Sequence, residues 1–547
     1  MSETVVFAAK KIVTMDRNLP EATHVAVRDG RILAVGDATC ADQWGDGRLD
    51  ETFADAVLTP GFVEGHAHLM AGAMWNYPYV GYHDRFDTEG KLWEGLTEIA
   101  PVIQRLKEAD AQMTADGAPP EKPLYAWGFD PIFLTTERLN RWHLDEVSKT
   151  RPVVVQHSNF HLMTVNSAAL DLAQYTRETN VEGVAKDDKG DLNGELQELA
   201  AMFPLMRRIG VDFRALSSQP PSIRAFGALA RQTGTTTMTD LHAALPDEDV
   251  ETLVNVTGAA DYPLRIVPML GAALMPMPEV APRALELAAK STDMARLGGV
   301  KLVLDGSIQG YTARLRWPGH VNGAPNGIWV IAPEQAEALI EALHAAHVQM
   351  HIHTNGDEAS VVAIDAIEKA QSKHYWGDHR HTLQHGQMID RALFKRMKAL
   401  GIAVNLFANH IWYFGDMHVE KSIGLDRARR MDACRDCLDE GVPLAIHSDA
   451  PVTPLAPLYT AWCAVNRITM SGACLGPEQR IEPAEALEAI TLGAAYTLKL
   501  DHEIGSIEAG KIADFAALDA SPLDVDPMAI KDIAVKGVVN GGRVFLN

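Results

Sequence analysis

The sequence contains no run of about 18 apolar residues, so it offers no candidate for a helix crossing a bilayer. Cysteine is scarce: Cys40, Cys434, Cys437, Cys463 and Cys474 are five scattered residues among 547. Cys434-x-x-Cys437 has the spacing of a metal or redox pair, but it lies in a helical stretch, Arg427 to Glu440, with no second pair, and reads as ordinary buried thiols. Basic residues are also in deficit. Lys+Arg number 49 against 72 Asp+Glu, a net charge of −23 with no basic patch. Such a surface repels phosphate backbones and argues against a nucleic-acid partner. The start, Met1-Ser2-Glu3-Thr4-Val5-Val6, lacks a basic segment followed by a long apolar stretch. No signal peptide is expected, and a cytoplasmic location is the reading.

What is present is the composition of a soluble globular protein, 47% hydrophobic and 22% charged. The length implies a large domain with a smaller one, or an enlarged barrel. Both ends read as strands and turns. Near the start, Val25 to Val27 and Arg31 to Gly36 flank Asp29-Gly30, a hairpin signal. Near the end, Ala513 to Leu518, Ile533 to Val535 and Val538 to Val544 repeat the style, so one small β domain built from both termini is expected. The middle alternates strands with helices at Pro333 to His347, Ser360 to Ala370 and Asp390 to Leu400, the last ending at Gly401. That alternation predicts parallel β/α units. Counting back from Val442–His447 as an eighth strand gives Ile402–Leu406, His381–His385, Val348–His353, Gly299–Leu304, Leu264–Leu270, Thr235–Asp240 and, first, the strand leading into His66. Pro152 to His157 is left over and falls in a long insertion between the first two strands.

His66-Ala67-His68 follows the run Val57 to Gly65. On a strand, residues i and i+2 share a face, so both imidazoles can reach one cation. Lys301, His353, His385 and Asp449 likewise fall at or just beyond strand ends. In a barrel, one rim gathers all six. Any one strand-end histidine reads as a structural hydrogen-bonder; the set reads as a metal centre. Lys301 sits among apolar strand neighbours, where an unpaired ammonium is costly. Pairing with Asp305 or Asp449 is one solution. The other is reaction with CO₂ to a carbamate, an anionic bridge between two metals, because desolvation favours the neutral amine.

These residues, with Ala26 to Ile32, Pro60-Gly61-Phe62, Trp127-Gly128-Phe129-Asp130, Asn166 to Leu170, Asp305-Gly306-Ser307, His353 to Asp357, His385-Gly386-Gln387, Ser448-Asp449-Ala450-Pro451 and Gly505 to Asp514, resemble the amidohydrolase superfamily of metal-dependent hydrolases. The resemblance is closest to its YtcJ-like branch, which includes N-substituted formamide deformylases. It implies a (β/α)8 TIM barrel over 58–499, interrupted by an insertion at about 70–232, and a β-sandwich from 1–57 plus 500–547. It further implies that His66, His68 and Asp449 hold one metal, that His353 and His385 hold a second, and that Lys301 is shared. Zinc is the default ion, with manganese or iron as alternatives. The implied reaction is attack by a metal-activated hydroxide on a non-peptide C–N bond, with Asp449 as general base. The same site chemistry would serve an ester, lactone, cyclic amide or phosphotriester, and a catalytically inactive binding protein is a third reading.

Substrate contacts are read from position. Trp127, Phe129 and His161 lie in the insertion, with His161 placed to hydrogen-bond a carbonyl as a second catalytic candidate; Gln309 follows the Lys301 strand, Trp412 the seventh, and His447 stands where the family pattern usually has glycine. Aromatic stretches bordering the rim read first as core; any that face the cavity would point to a small apolar or aromatic amide as substrate. Homo-oligomerisation is left open.

Overall fold

The computed structural model describes residues 3–45, 47–134, 137–158, 160, 162–211 and 213–547. The chain forms two compact units, Met1–His68 with Gly227–Asn547, and Leu69–Phe226.

In the first unit, strands from both chain ends join one eight-stranded sheet. Asp29 and Gly30, with φ of 53° and 75°, make the two-residue loop between Glu21–Arg28 and Arg31–Gly36. Left-handed backbone at both positions matches the twist of paired strands. The expected sandwich is realised within a single hydrogen-bonded sheet, for a reason visible in Thr4–Val13. Thr4 to Phe7 pair with Gly47–Asp50, whereas Lys11 and Ile12 pair with Val57 and Leu58. A bulge between Ala8 and Ile12 separates the two halves. Bulges bend a strand and let it change neighbours. Phe7, Ile12, Val25, Leu58, Phe515 and Val539 fill the core so enclosed.

The same unit contains the barrel. Its parallel strands are, in order, Phe62–Glu64, Thr235–Ala243, Arg265–Gly271, Gly299–Val303, Met350–Thr354, Thr382–His385, Ala403–Leu406 and Leu444–Ile446. These are the eight strands counted from the sequence. Helix Arg391–Leu400 shows why the pattern was readable: Asp390 caps it by accepting from Leu393 N–H, and Gly401 ends it at φ 75°. The stretch expected as one helix from Arg427 to Glu440 is instead two, Leu425–Ala428 and Cys434–Asp439, with Asp432 at φ 47° between them. Among the described residues there is no ladder between the eighth strand and the first. An isolated parallel bridge, Ala67 to Ala450, makes the join, with His68 N–H donating to the Ala450 carbonyl at 2.9 Å.

Beneath the fifth and sixth strands, His344, His379 and His381 form a buried cluster. His344 Nδ1 lies 2.9 Å from His381 Nε2, and His344 Nε2 lies 2.7 Å from the His374 carbonyl. His379 Nε2 meets the Leu400 carbonyl at 2.8 Å, while His379 Nδ1 accepts from His381 N–H at 2.9 Å. Each ring is thus satisfied as a neutral imidazole.

The second unit holds a five-stranded sheet, Val184–Lys186, Leu192–Gln197, Leu162–Val165, Val153–His157 and Leu124–Phe129 in spatial order. Tyr125 and Trp127 face one core and Leu124 and Ala126 the other, as strand alternation requires. Gly128, at φ 97°, breaks the alternation and sends Phe129 to the second core. No helix among the described residues is long and apolar enough to cross a membrane.

Candidate active site

The site is built at the C-terminal ends of the barrel strands, where backbone leaves the ladder and side chains converge. His66 Nδ1 lies 2.7 Å from Gln384 Oε1, and His68 Nδ1 lies 2.8 Å from the Leu241 carbonyl oxygen. An oxygen of either kind only accepts, so both rings donate from Nδ1 and carry a lone pair on Nε2. Those two nitrogens lie 3.4 and 3.2 Å from Asp449 Oδ1. Burial, reinforced by the nearby Lys301, holds the His66 imidazolium well below its ordinary pKa, so the ring is neutral. Among the described residues Asp449 Oδ1 is buried with no hydrogen-bond donor.

In their neutral tautomers the two rings turn Nε2 lone pairs toward the carboxylate oxygen, a donor set that a bound cation would satisfy. Donors about 2.0–2.1 Å from a tetrahedral ion stand about 3.3–3.4 Å apart, close to the spacing seen. The His66, His68 and Asp449 donor atoms lie within 4.8 Å of one another, and so do those of His66, His385 and His447. The residues fit a divalent ion.

His385 Nδ1 is 3.1 Å from His447 Nε2 and 4.0 Å from Asp449 Oδ2. His385 and Asp449 both take left-handed backbone, φ 66° and 53°, a conformation that non-glycine residues hold only when their surroundings enforce it. His447 is fully buried, with its ring stacked on His66 at 4.7 Å and on Phe407 at 5.0 Å. It backs the two histidines. His353 stands with its ring 4.4 Å from that of His385, and its Nε2 lies 3.1 Å from the Gly306 carbonyl.

Lys301 is buried, and among the described residues its Nζ has no hydrogen-bond partner. Burial pulls the ammonium down to about 7, with Asp449 opposing. Asp305, one partner weighed from the sequence, is committed elsewhere. Its carboxylate accepts from the N–H groups of Asn355 at 2.9 Å, Gly356 at 2.8 Å and Arg314 at 3.0 Å. It therefore pins the loops after the fourth and fifth strands.

Two buried residues had no role assigned from the sequence. Glu64 accepts from His66 N–H at 3.1 Å and from the Ser448 hydroxyl at 2.7 Å, tying the first strand's end to the eighth's; burial pushes its carboxyl up to about 8. Gln384 is the partner of His66. Their signal was polarity inside apolar strand runs, the same signal that singled out Lys301.

Gln309 lies on the loop after the fourth strand, and among the described residues its buried Oε1 has no partner. Trp412 is half-buried on helix His410–Met417, edge-on to Tyr413 and Tyr459. Trp127 and Phe129 are core residues of the second unit, 1% and 2% exposed; Trp127 packs on Trp75 and Tyr79, and Phe129 on His157. His161 lies outside the described residues.

The sequence profile of the amidohydrolase family matches residues 54–545. The chain belongs to that family. The putative amidohydrolase YtcJ of Bacillus subtilis (strain 168) is 26% identical to it over 526 residues, covering 93% of this chain and 92% of its own. The N-substituted formamide deformylase of Arthrobacter pascens is 26% identical over 529 residues, covering 92% and 91%. An uncharacterised metal-dependent hydrolase from Pyrococcus horikoshii OT3 has the same fold, with a TM-score of 0.73 at 19% identity over 96% of this chain and 99% of that one. The protein is a hydrolase of the amidohydrolase family, and its barrel carries a His/Asp group able to hold a metal.

Proposed function

We propose that this protein hydrolyses a non-peptide C–N bond, in a small amide or N-substituted formamide, with Asp449 as general base. The observation that carries the reading is the donor set: Nε2 of neutral His66 and Nε2 of His68 both abut Asp449 Oδ1, which among the described residues is buried with no hydrogen-bond partner. A divalent ion held there, zinc by the nitrogen and oxygen donors with manganese or iron as alternatives, would acidify water toward neutrality and polarise the scissile carbonyl. His66 and His68 fix the position at which water and carbonyl meet. Asp449 takes the proton of the attacking water and returns it to the departing amine. His353 and His385, adjacent at 4.4 Å, would hold a second ion. Lys301, buried and with no hydrogen-bond partner at Nζ among the described residues, would form a carbamate: its amine adds to CO₂ and releases one proton to solvent, which would supply an anionic ligand to the metal centre. Gln309, on the loop after the fourth strand, and Trp412, on helix His410–Met417 after the seventh, contact the substrate. The choice of a C–N bond is supported by the formamide deformylase relative, which aligns over nine-tenths of both chains.

The test is a panel of N-substituted formamides, N-acyl amines, cyclic amides, lactones and phosphotriesters, assayed with metal-stripped and metal-restored protein. Metal-dependent turnover confined to amides or formamides is expected. Turnover of the oxygen esters alone would move the assignment to that class. Equal turnover in the stripped protein would refute the metal reading.

A further inference from the structure

The polar groups of the site continue downward through the barrel interior. Gln384, on the sixth strand, is fully buried, and its amide is the midpoint of a hydrogen-bonded chain. Its Oε1 lies 2.7 Å from His66 Nδ1 and 3.0 Å from Asn405 Nδ2. Its Nε2 lies 2.6 Å from His351 Nδ1, and His351 Nε2 lies 2.9 Å from the Thr497 carbonyl oxygen. The fifth, sixth and seventh strands each contribute one link, and His66, two residues past the first strand, contributes the fourth.

The polarity of this chain is set from its far end. A backbone carbonyl only accepts, so His351 carries its hydrogen on Nε2 and a lone pair on Nδ1. That lone pair takes the Gln384 Nε2–H, which fixes the amide so that Oε1 points to His66 and Asn405. The Asn405 amide also donates into Oε1, and Oε1 has nothing to donate in return. His66 must therefore hold its hydrogen on Nδ1, and its free Nε2 is turned toward Asp449. A flipped Gln384 amide would meet Asn405 Nδ2 donor to donor. The end of the first strand lies directly against the chain: a Cβ on Gly65 would come within 2.8 Å of Asn405 Nδ2.

We propose that Gln384 is a positioning residue that locks His66 in its metal-binding tautomer, with His351 and the Thr497 carbonyl as the reference that orients it. This rests on the reading that His66 binds a metal. A hydrogen bond behind a ligating imidazole raises its basicity and fixes its ring, and its loss costs about 10–100-fold in metal affinity.

The test is chelator competition for zinc, measured on the wild type, Gln384→Met, Gln384→Glu and Asn405→Leu, with a thermal midpoint for each. A wild type that takes up no zinc overturns the metal reading itself. With the wild type loaded, Gln384→Met should weaken zinc binding about 10–100-fold. Gln384→Glu, which keeps an acceptor facing His66 Nδ1, should hold affinity within a few-fold of wild type. Asn405→Leu perturbs the same layer of the core but leaves that acceptor, so its midpoint should fall while its zinc affinity stays near wild type. Equal affinity in Gln384→Met and wild type overturns the proposal, and so does an equal loss in Gln384→Met and Asn405→Leu, which would report packing alone. Should the methionine variant not fold, Gln384→Glu decides: loss of zinc binding in a folded glutamate variant refutes the assignment.

Discussion

Acidification should unlock the barrel from its lower end, and one residue gives the size of the effect. His379 is fully buried, donates to Leu400, accepts from His381 N–H, and is held neutral by burial at a pKa of about 4 against an ordinary 6.5. Unfolded chain takes up a proton near 6.5; the folded ring refuses it until about 4. The unfolded state therefore binds more protons between those values, so the His379 contribution is fully present above about 6.5 and is lost as pH falls toward 4. From pH 7 to pH 5 the loss is about 2 kcal/mol for this one group. His344 and His381 are shifted in the same direction, chiefly by burial, and add to it. The assay is urea unfolding of the barrel transition at several pH values, in wild type and in His379→Asn. The variant starts less stable, because it loses ring contacts, but its fall in stability between pH 7 and pH 5 should be smaller than wild type's by about 2 kcal/mol. A variant with the wild-type pH slope would refute the argument and place the titrating groups elsewhere.

His66→Ala should lose bound metal and activity together, read by elemental analysis, because removing one imidazole leaves the remaining donors without a chelate. Asp449→Asn keeps the size and removes the basic oxygen, so kcat should fall by about two to four orders of magnitude in a folded protein; near-normal turnover would strip Asp449 of the base role. Lys301 should take up ¹³C from labelled bicarbonate, seen by NMR of the metal-loaded protein, and Lys301→Met should not; no label in the loaded wild type rejects the carbamate.

The barrel was legible because its strands are short apolar runs closed by recognisable helix caps, as at Asp390 and Gly401. The candidate positions of His66, His68, His353, His385 and Asp449 were legible because strand ends in such a barrel share one rim, whereas Lys301, expected at a strand end, lies mid-strand in Gly299–Val303. Glu64 and Gln384 escaped for one physical reason: their roles are set by partners more than 300 residues away, Glu64 with Ser448 and Gln384 with His66, and no local pattern encodes that pairing. Trp127 and Phe129 looked alike in the sequence, yet a single left-handed glycine sends them to opposite cores. The break between Leu425–Ala428 and Cys434–Asp439 depends on backbone at Asp432 that helical periodicity does not register.

The seam of the barrel has a consequence for how the fold is held shut. Among the described residues the first and eighth strands share no ladder, and the Ala67–Ala450 bridge joins them. His66 and His68 flank that bridge on one side and Asp449 on the other. A cation taken by these three would be a rivet through a joint that carries no strand ladder, with Glu64 as a lighter stitch just below it. Ligand binding and closure are then the same event in free-energy terms, so whatever tightens one tightens the other. The joint also sets where slow breathing of the cylinder is read: the amides that cross it, His68 N–H to the Ala450 carbonyl and Ser448 N–H to Glu64, would gain protection together once the ion is in place.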